Sequence, residues 1–214
     1  MGPAHTQNVG LHVLVDIPNV TNSLRDVSRK REGDFTAFDR TRLSLRNLYR
    51  LAHADRPVAG SLWAGLDRQS LRWLPGTIRR FAPDAEIDLR QPGRDDDGEQ
   101  QITDLVLAQR MARLLDHQPG LLVLVTGDGA GWARGDGMFA AARRLGDHGW
   151  AVEVLAWADS LNRHLAAWAI RPPHALVELD PFYRAITYVE GGRGSGMLDL
   201  ARRPRAVTPL DNAA

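Results

Sequence analysis

The chain has 214 residues, no cysteine, a formal net charge of +1 and one lysine, Lys30, among 27 basic side chains. That length fits one domain able to bury a sizeable core, and the missing cysteine excludes disulfides, thiolate metal sites and cysteine catalysis while fitting a reducing compartment. The near-neutral balance argues against a protein that coats DNA by bulk charge and leaves room for a local basic patch.

Residues 1–10 are polar and carry no apolar signal core, and the longest apolar run, 121–125, is far too short to span a bilayer. A cytoplasmic protein with no membrane partner is therefore expected. Residues 11–17 form an apolar run stopped by Pro18, which predicts a buried strand. Phe38, Leu43, Leu45, Leu48 and Leu51 recur at roughly helical spacing and predict one amphipathic helix over 35–54. A second strand is predicted at 58–66, a short helix at 69–81 and a third strand at 85–89, followed by an acidic loop at 91–98.

The clearest helix runs over 100–117, with Leu107, Met111, Leu114 and Leu115 as its apolar stripe and Pro119-Gly120 as its end. The apolar strand 121–125 follows, then a glycine-rich loop at 127–137 and a helix at 138–145. A strand at 152–156, a helix at 160–169 and strands at 175–179 and 185–189 complete the domain. Residues 191–196 read as flexible, and the Arg-, Pro- and Ala-rich end completes a weakly ordered tail over 191–214. Strands alternating with helices imply a three-layer αβα fold on a mostly parallel sheet, with ligands at the carboxyl ends of the strands.

The acids fall where such a sheet would use them. Asp16 closes the first strand and Asp128 follows the central one. Asp104, near the start of the clearest helix, lies in line with Ala108, Met111 and Leu115, where a lone carboxylate is costly unless compensated. Two carboxylates about 4 Å apart repel by roughly 4 kcal/mol at an effective dielectric near 20. A group of them at one edge calls for a cation, and oxygen ligands without histidine or cysteine favour Mg2+ or Mn2+. Such a metal activates water and neutralises charge on a phosphoryl group, which points to a phosphodiester. Each acid also has a plainer reading: Asp16 and Asp128 as turn residues, Asp104 as a complement to the helix dipole.

In its order of motifs the chain resembles the NYN family of PIN-like nucleases. The residues that carry the resemblance are Asp16 and Asn19 after the first strand, Asp104 on the helix, Thr126-Gly127-Asp128 after the apolar strand, His148-Gly149-Trp150, and Val152-Glu153-Val154. It spans 11–179, within a domain placed at 9–190. The resemblance implies a metal-dependent endoribonuclease in which Asp16, Asp104 and Asp128 hold Mg2+ or Mn2+ and the attacking water, and Asn19 orients a ligand or water. The family usually reads Gly-Asp-x-Asp-Phe in the loop, whereas here seven residues separate Asp128 from Asp136 and Phe139 comes later. Asp136 replaces the second acid after an insertion, or caps the next helix.

In the longer loop, Trp132 is placed to stack a base or to pack on the core, and Arg134 to meet a phosphate. Arg25, Arg29 and Lys30, with Arg31, form a basic stretch after the first acid that suits a phosphate track. Arg42, Arg46 and Arg50 read as a solvated helix face. The expected partner is RNA, single-stranded or structured, and an exposed Trp or Leu patch would support a homodimer. Two further readings stand beside the nuclease: a catalytically weak RNA-binding or scaffolding module on the same fold, and a phosphatase or phosphoacceptor. The latter lacks an Asp-x-Asp motif, since Ile17 and Pro18 follow Asp16. No P-loop, dinucleotide fingerprint, His-Glu-x-x-His or Gly-x-Ser-x-Gly is present.

Overall fold

In the computed structural model the described residues are 10–66, 68, 72–91, 96–126 and 137–207. The first strand, β1 (Leu11–Asp16), is buried along nearly its whole length, as a largely apolar run between two neighbouring strands demands. It pairs in parallel with β3 (Val58–Leu66) on one side and β5 (Leu121–Val125) on the other. With β4 (Glu86–Arg90), β6 (Ala151–Ala156) and β7 (Ala175–Glu178) these make a six-stranded parallel sheet of order β4-β3-β1-β5-β6-β7.

Side chains alternate along each strand, so the sheet has two apolar faces. Val13, Val15, Val123 and Leu155 meet one helical layer: α1 (Ile17–Arg31), α3 (Leu45–His53) and α4 (Leu74–Arg79). Leu14, Leu62, Leu124 and Val154 meet the other: α5 (Asp96–Leu114), α6 (Met138–Asp147) and α7 (Arg163–Ala169). The expected three-layer α/β architecture is therefore present. Each fully buried Leu or Met in these layers contributes about 1.5–3 kcal/mol of apolar transfer energy.

Three predicted elements differ in the structure. Pro18 does not merely stop β1; it sits in the first turn of α1, where its missing N–H has no intrahelical acceptor anyway. Residues 35–54 are divided rather than one helix. They contain α2 (Phe35–Asp39), the short strand β2 (Thr41–Leu43) and α3, with Asp34 capping α2 through the Thr36 N–H at 2.9 Å. β2 finds its antiparallel partner far away in β8 (Thr187–Val189), just after α8 (Tyr183–Ile186). The loop expected to reach residue 98 ends earlier, where α5 begins at Asp96.

The expected flexible tail from 191 is also corrected as far as residue 207. Arg203 is buried and donates to the carbonyls of Leu51 (2.6 Å) and Ala52 (2.9 Å) and to Glu153 (2.6 Å). Ala206 N–H donates to Glu153 at 2.9 Å, and Leu198 and Leu200 pack on the core. Arg193 reaches Glu32 at 3.0 Å. Composition hides this because the segment's affinity lies in single long-range ion pairs, not in apolar periodicity. Residues 208–214 lie outside the described residues.

Candidate functional site

Consecutive crossovers place α1 to α4 on one face of the sheet and α5 to α7 on the other. The change of side falls between β1 and β5, and the crevice outside their carboxyl ends is where open α/β sheets bind ligands. Asp16 stands at that point. It is the last residue of β1, opposite Ala64 of β3 and one position beyond the Val15–Val125 pairing, which sets it beside Thr126. By strand alternation, Asp16 shares a face with Leu14, and Thr126 with Leu124, so both belong to the α5–α6 side.

Asp16 is fully buried and doubles as the N-cap of α1. One carboxylate oxygen accepts the backbone N–H of Asn19 at 3.2 Å, the other accepts Asn19 Nδ2 at 2.6 Å. Asn19, itself buried, therefore acts here by fixing the rotamer of Asp16.

Asp104 approaches the same edge from α5. It lies three and seven residues ahead of Leu107 and Met111, both fully buried against the sheet. Its height along the strands follows from Arg110, which pairs with Glu86 at 3.0 Å and whose guanidinium lies near Gly60, beside His12. Six helical residues raise Asp104 by about 9 Å from that level, and four strand residues raise Asp16 by about 13 Å. Asp104 thus belongs to the carboxyl-edge half of the sheet, on the face that Asp16 shares. Beside these acids, Thr103 and Thr126 are buried and their hydroxyls have no hydrogen-bond partner among the described residues. An unmade buried bond of this kind costs about 1–3 kcal/mol. Thr103 was not singled out from sequence; its one signal is adjacency to Asp104.

Among the described residues no three His, Asp or Glu side chains converge in a metal-binding group. Asp128, Asp136, Trp132 and Arg134, all expected at the site, lie outside the described residues. Two carboxylates with orphaned hydroxyls beside them still suit a hard divalent ion. Mg2+ is commonly held by one or two carboxylates, with water and substrate phosphate completing its shell.

The basic stretch sits on the opposite helical layer, in the last turns of α1. Arg29 pairs with Asp26 at 3.8 Å and lies 5.1 Å over the ring of Phe38. Lys30 bonds Asp159 at 2.7 Å, and that hydrogen bond, with the charge of Asp159, raises its pKa. Arg25 makes no ion pair among the described residues and opens onto a pocket of about 360 Å3 shared with Thr21, Phe38 and Arg42. Arg42, Arg46 and Arg50 are exposed, as expected for a solvated face, although Arg42 lies on β2 and pairs with Glu190 at 2.9 Å.

No helix among the described residues is long and apolar enough to cross a membrane. No family model and no curated protein matches the chain. A crystal structure of a protein of unknown function from Vibrio parahaemolyticus RIMD 2210633 is similar at a TM-score of 0.58 and 15% identity, covering 81% of this chain and 97% of that one. That likeness concerns the fold.

Proposed function

We propose that this chain is a metal-dependent endoribonuclease of the NYN, PIN-like kind. The observation that carries the reading is a fully buried aspartate at the β1–β5 switch point, locked by Asn19, with a second aspartate on the facing helix. In this reading Asp16 and Asp104, joined by Asp128, would hold Mg2+ or Mn2+. The bound ion would supply a more acidic water and charge neutralisation at the scissile phosphate. Asn19 keeps both Asp16 oxygens oriented, so the carboxylate spends little freedom when it engages a ligand.

The test is cleavage of a fluorescent single-stranded RNA in Mn2+, with chelator, Asp16→Asn and Asp104→Asn as controls. Each variant is expected to lose more than the roughly 10- to 100-fold that removal of an outer-shell partner costs. Cleavage that survives both substitutions together would overturn the mechanism. The second reading, a catalytically weak RNA-binding module, is motivated by the loop after Asp128, in which seven residues separate it from Asp136. It expects RNA binding without turnover and no calorimetric Mn2+ affinity that Asp104→Ala removes.

A further inference from the structure

The groove between α6 and α7 holds a pocket of about 360 Å3 on the same face as Asp16, lined by Phe139, Arg143, Asp147, His164, Trp168 and Arg171. Its aromatic wall is rigid. The Trp168 ring lies 4.1 Å from His174, tilted by 32°, and 5.8 Å edge-on from Phe139. It is pressed so closely on α6 that a Cβ at Gly146 would stand 3.0 Å from both the indole and His174. His174 is itself fixed, because its Nδ1 accepts the Val152 N–H at 3.2 Å, and burial lowers its pKa. Trp168 is nevertheless only partly buried.

Around this wall stand two exposed guanidiniums. Arg143 and Arg171 make no ion pair and no side-chain hydrogen bond among the described residues. Many other arginines of the fold are engaged, such as Arg56, Arg203, Arg193 and Arg42. A preorganised aromatic surface beside uncommitted guanidiniums has the chemistry of a base-stacking, phosphate-pairing site. The groove also starts at the right edge. Phe139 and His164 open the groove at the carboxyl ends of β5 and β6, two strand spacings, about 10 Å, from β1, and Trp168, stacked on His174 beside Val152, closes it toward the amino end of β6, four strand residues or about 13 Å further down.

We infer that the α6–α7 groove is a nucleotide subsite in which Trp168 stacks a base while Arg143 and Arg171 meet phosphate, taking an unpaired stretch of the RNA that reaches Asp16. The inference extends the ribonuclease reading, and its test is run without metal so that the two can fail separately.

The experiment is fluorescence anisotropy of a labelled 12-nucleotide single-stranded RNA with the whole protein in chelator. Adenosine monophosphate and an unlabelled single-stranded RNA serve as competitors. The Arg143→Ala/Arg171→Ala double variant is expected to bind about tenfold more weakly, with a salt dependence reduced by about 1.4 in slope for two lost phosphate contacts. Ala167→Glu, at an exposed position in the groove, places an acid there without touching the core and is expected to weaken binding by a similar factor. Competition by single strands but not by the mononucleotide identifies a strand subsite; competition by both identifies a site for the nucleotide unit itself. Wild-type affinity in both variants, or no RNA or nucleotide binding by the wild type, overturns the inference. Binding lost in the variants while the wild type never cleaves RNA would instead overturn the nuclease and leave the subsite standing.

Discussion

Asp16 and Glu153 are both fully buried carboxylates in one sheet, separated by a single strand, β5. Through Val13 and Val123, Glu153 lies three residues, roughly 10 Å, below Asp16, and on the opposite face. Their surroundings differ in origin. Glu153 takes two bonds from Arg56 (2.8 and 2.6 Å), one from Arg203 (2.6 Å) and one from Ala206 N–H (2.9 Å). Burial alone would raise its pKa, but the two guanidiniums outweigh that and hold it below the usual carboxylate range. These partners come from remote segments, so the acid fastens the C-terminal stretch and the end of α3 to β6. Asp16 is held by a residue three positions along its own chain and stands where the sheet opens. The same chemical group closes the fold at Glu153, whereas at Asp16 it stands at the carboxyl edge of the sheet, where it is proposed to meet a metal ion.

The most forceful way to break this contrast is Arg203→Ala. It leaves Glu153 short of a buried counter-charge, and the expected loss is about 3–5 kcal/mol in urea unfolding. A loss under about 1 kcal/mol would show that the C-terminal stretch does not fasten the fold. Asn19→Ala sharpens the other half. It frees the Asp16 rotamer and removes the side-chain bond at the start of α1, and it is expected to cut RNA cleavage by about 10- to 100-fold. Unchanged turnover would mean that Asp16 needs no positioning. The smallest effect is expected below Asp16 on the same strand, at His12. Burial first, then the charges of Arg110 and His117, lower its pKa from 6.5 to about 4. The unfolded chain therefore binds more protons between those values, so stability is full above about pH 6.5 and falls as pH drops toward 4. His12→Gln is expected to flatten the slope of the unfolding midpoint across that window; an unchanged slope would assign it to His53 and His174, which burial lowers in the same direction.

The parallel sheet was legible because β5 is a continuous apolar run and β1 and β3 are mostly apolar, and a strand buried on both faces has little else to show. Asp16 and Asp104 were legible as candidates because each interrupts an apolar pattern at its end. The helix α1 was missed although its signals are present: Asp16 as N-cap, Pro18 in the first turn, and Val20, Leu24 and Val27 at helical spacing. Pro18 hides the helix because a proline after an apolar run breaks a strand as readily as it opens a helix. β2 was absorbed into a helix because Leu43, Leu45, Leu48 and Leu51 run on across it. Its two-residue alternation of Thr41, Arg42 and Leu43 is too short to compete, and its partner Tyr188 is far away in sequence. Arg203 could not be found at all, since an arginine between prolines and alanines looks the same whether it is solvated or locked on Glu153.

The clamp on Glu153 also has a schedule. Arg56 precedes Glu153 in order of synthesis, but Arg203 is made fifty residues after its carboxylate partner. At ribosomal speeds of about 5–20 residues per second that is an interval of roughly 2.5–10 s. During it only one of the two guanidiniums that meet this core acid has been made. A chain that stops before residue 203 keeps that defect, so the buried carboxylate of Glu153 depends on a stretch made well after it.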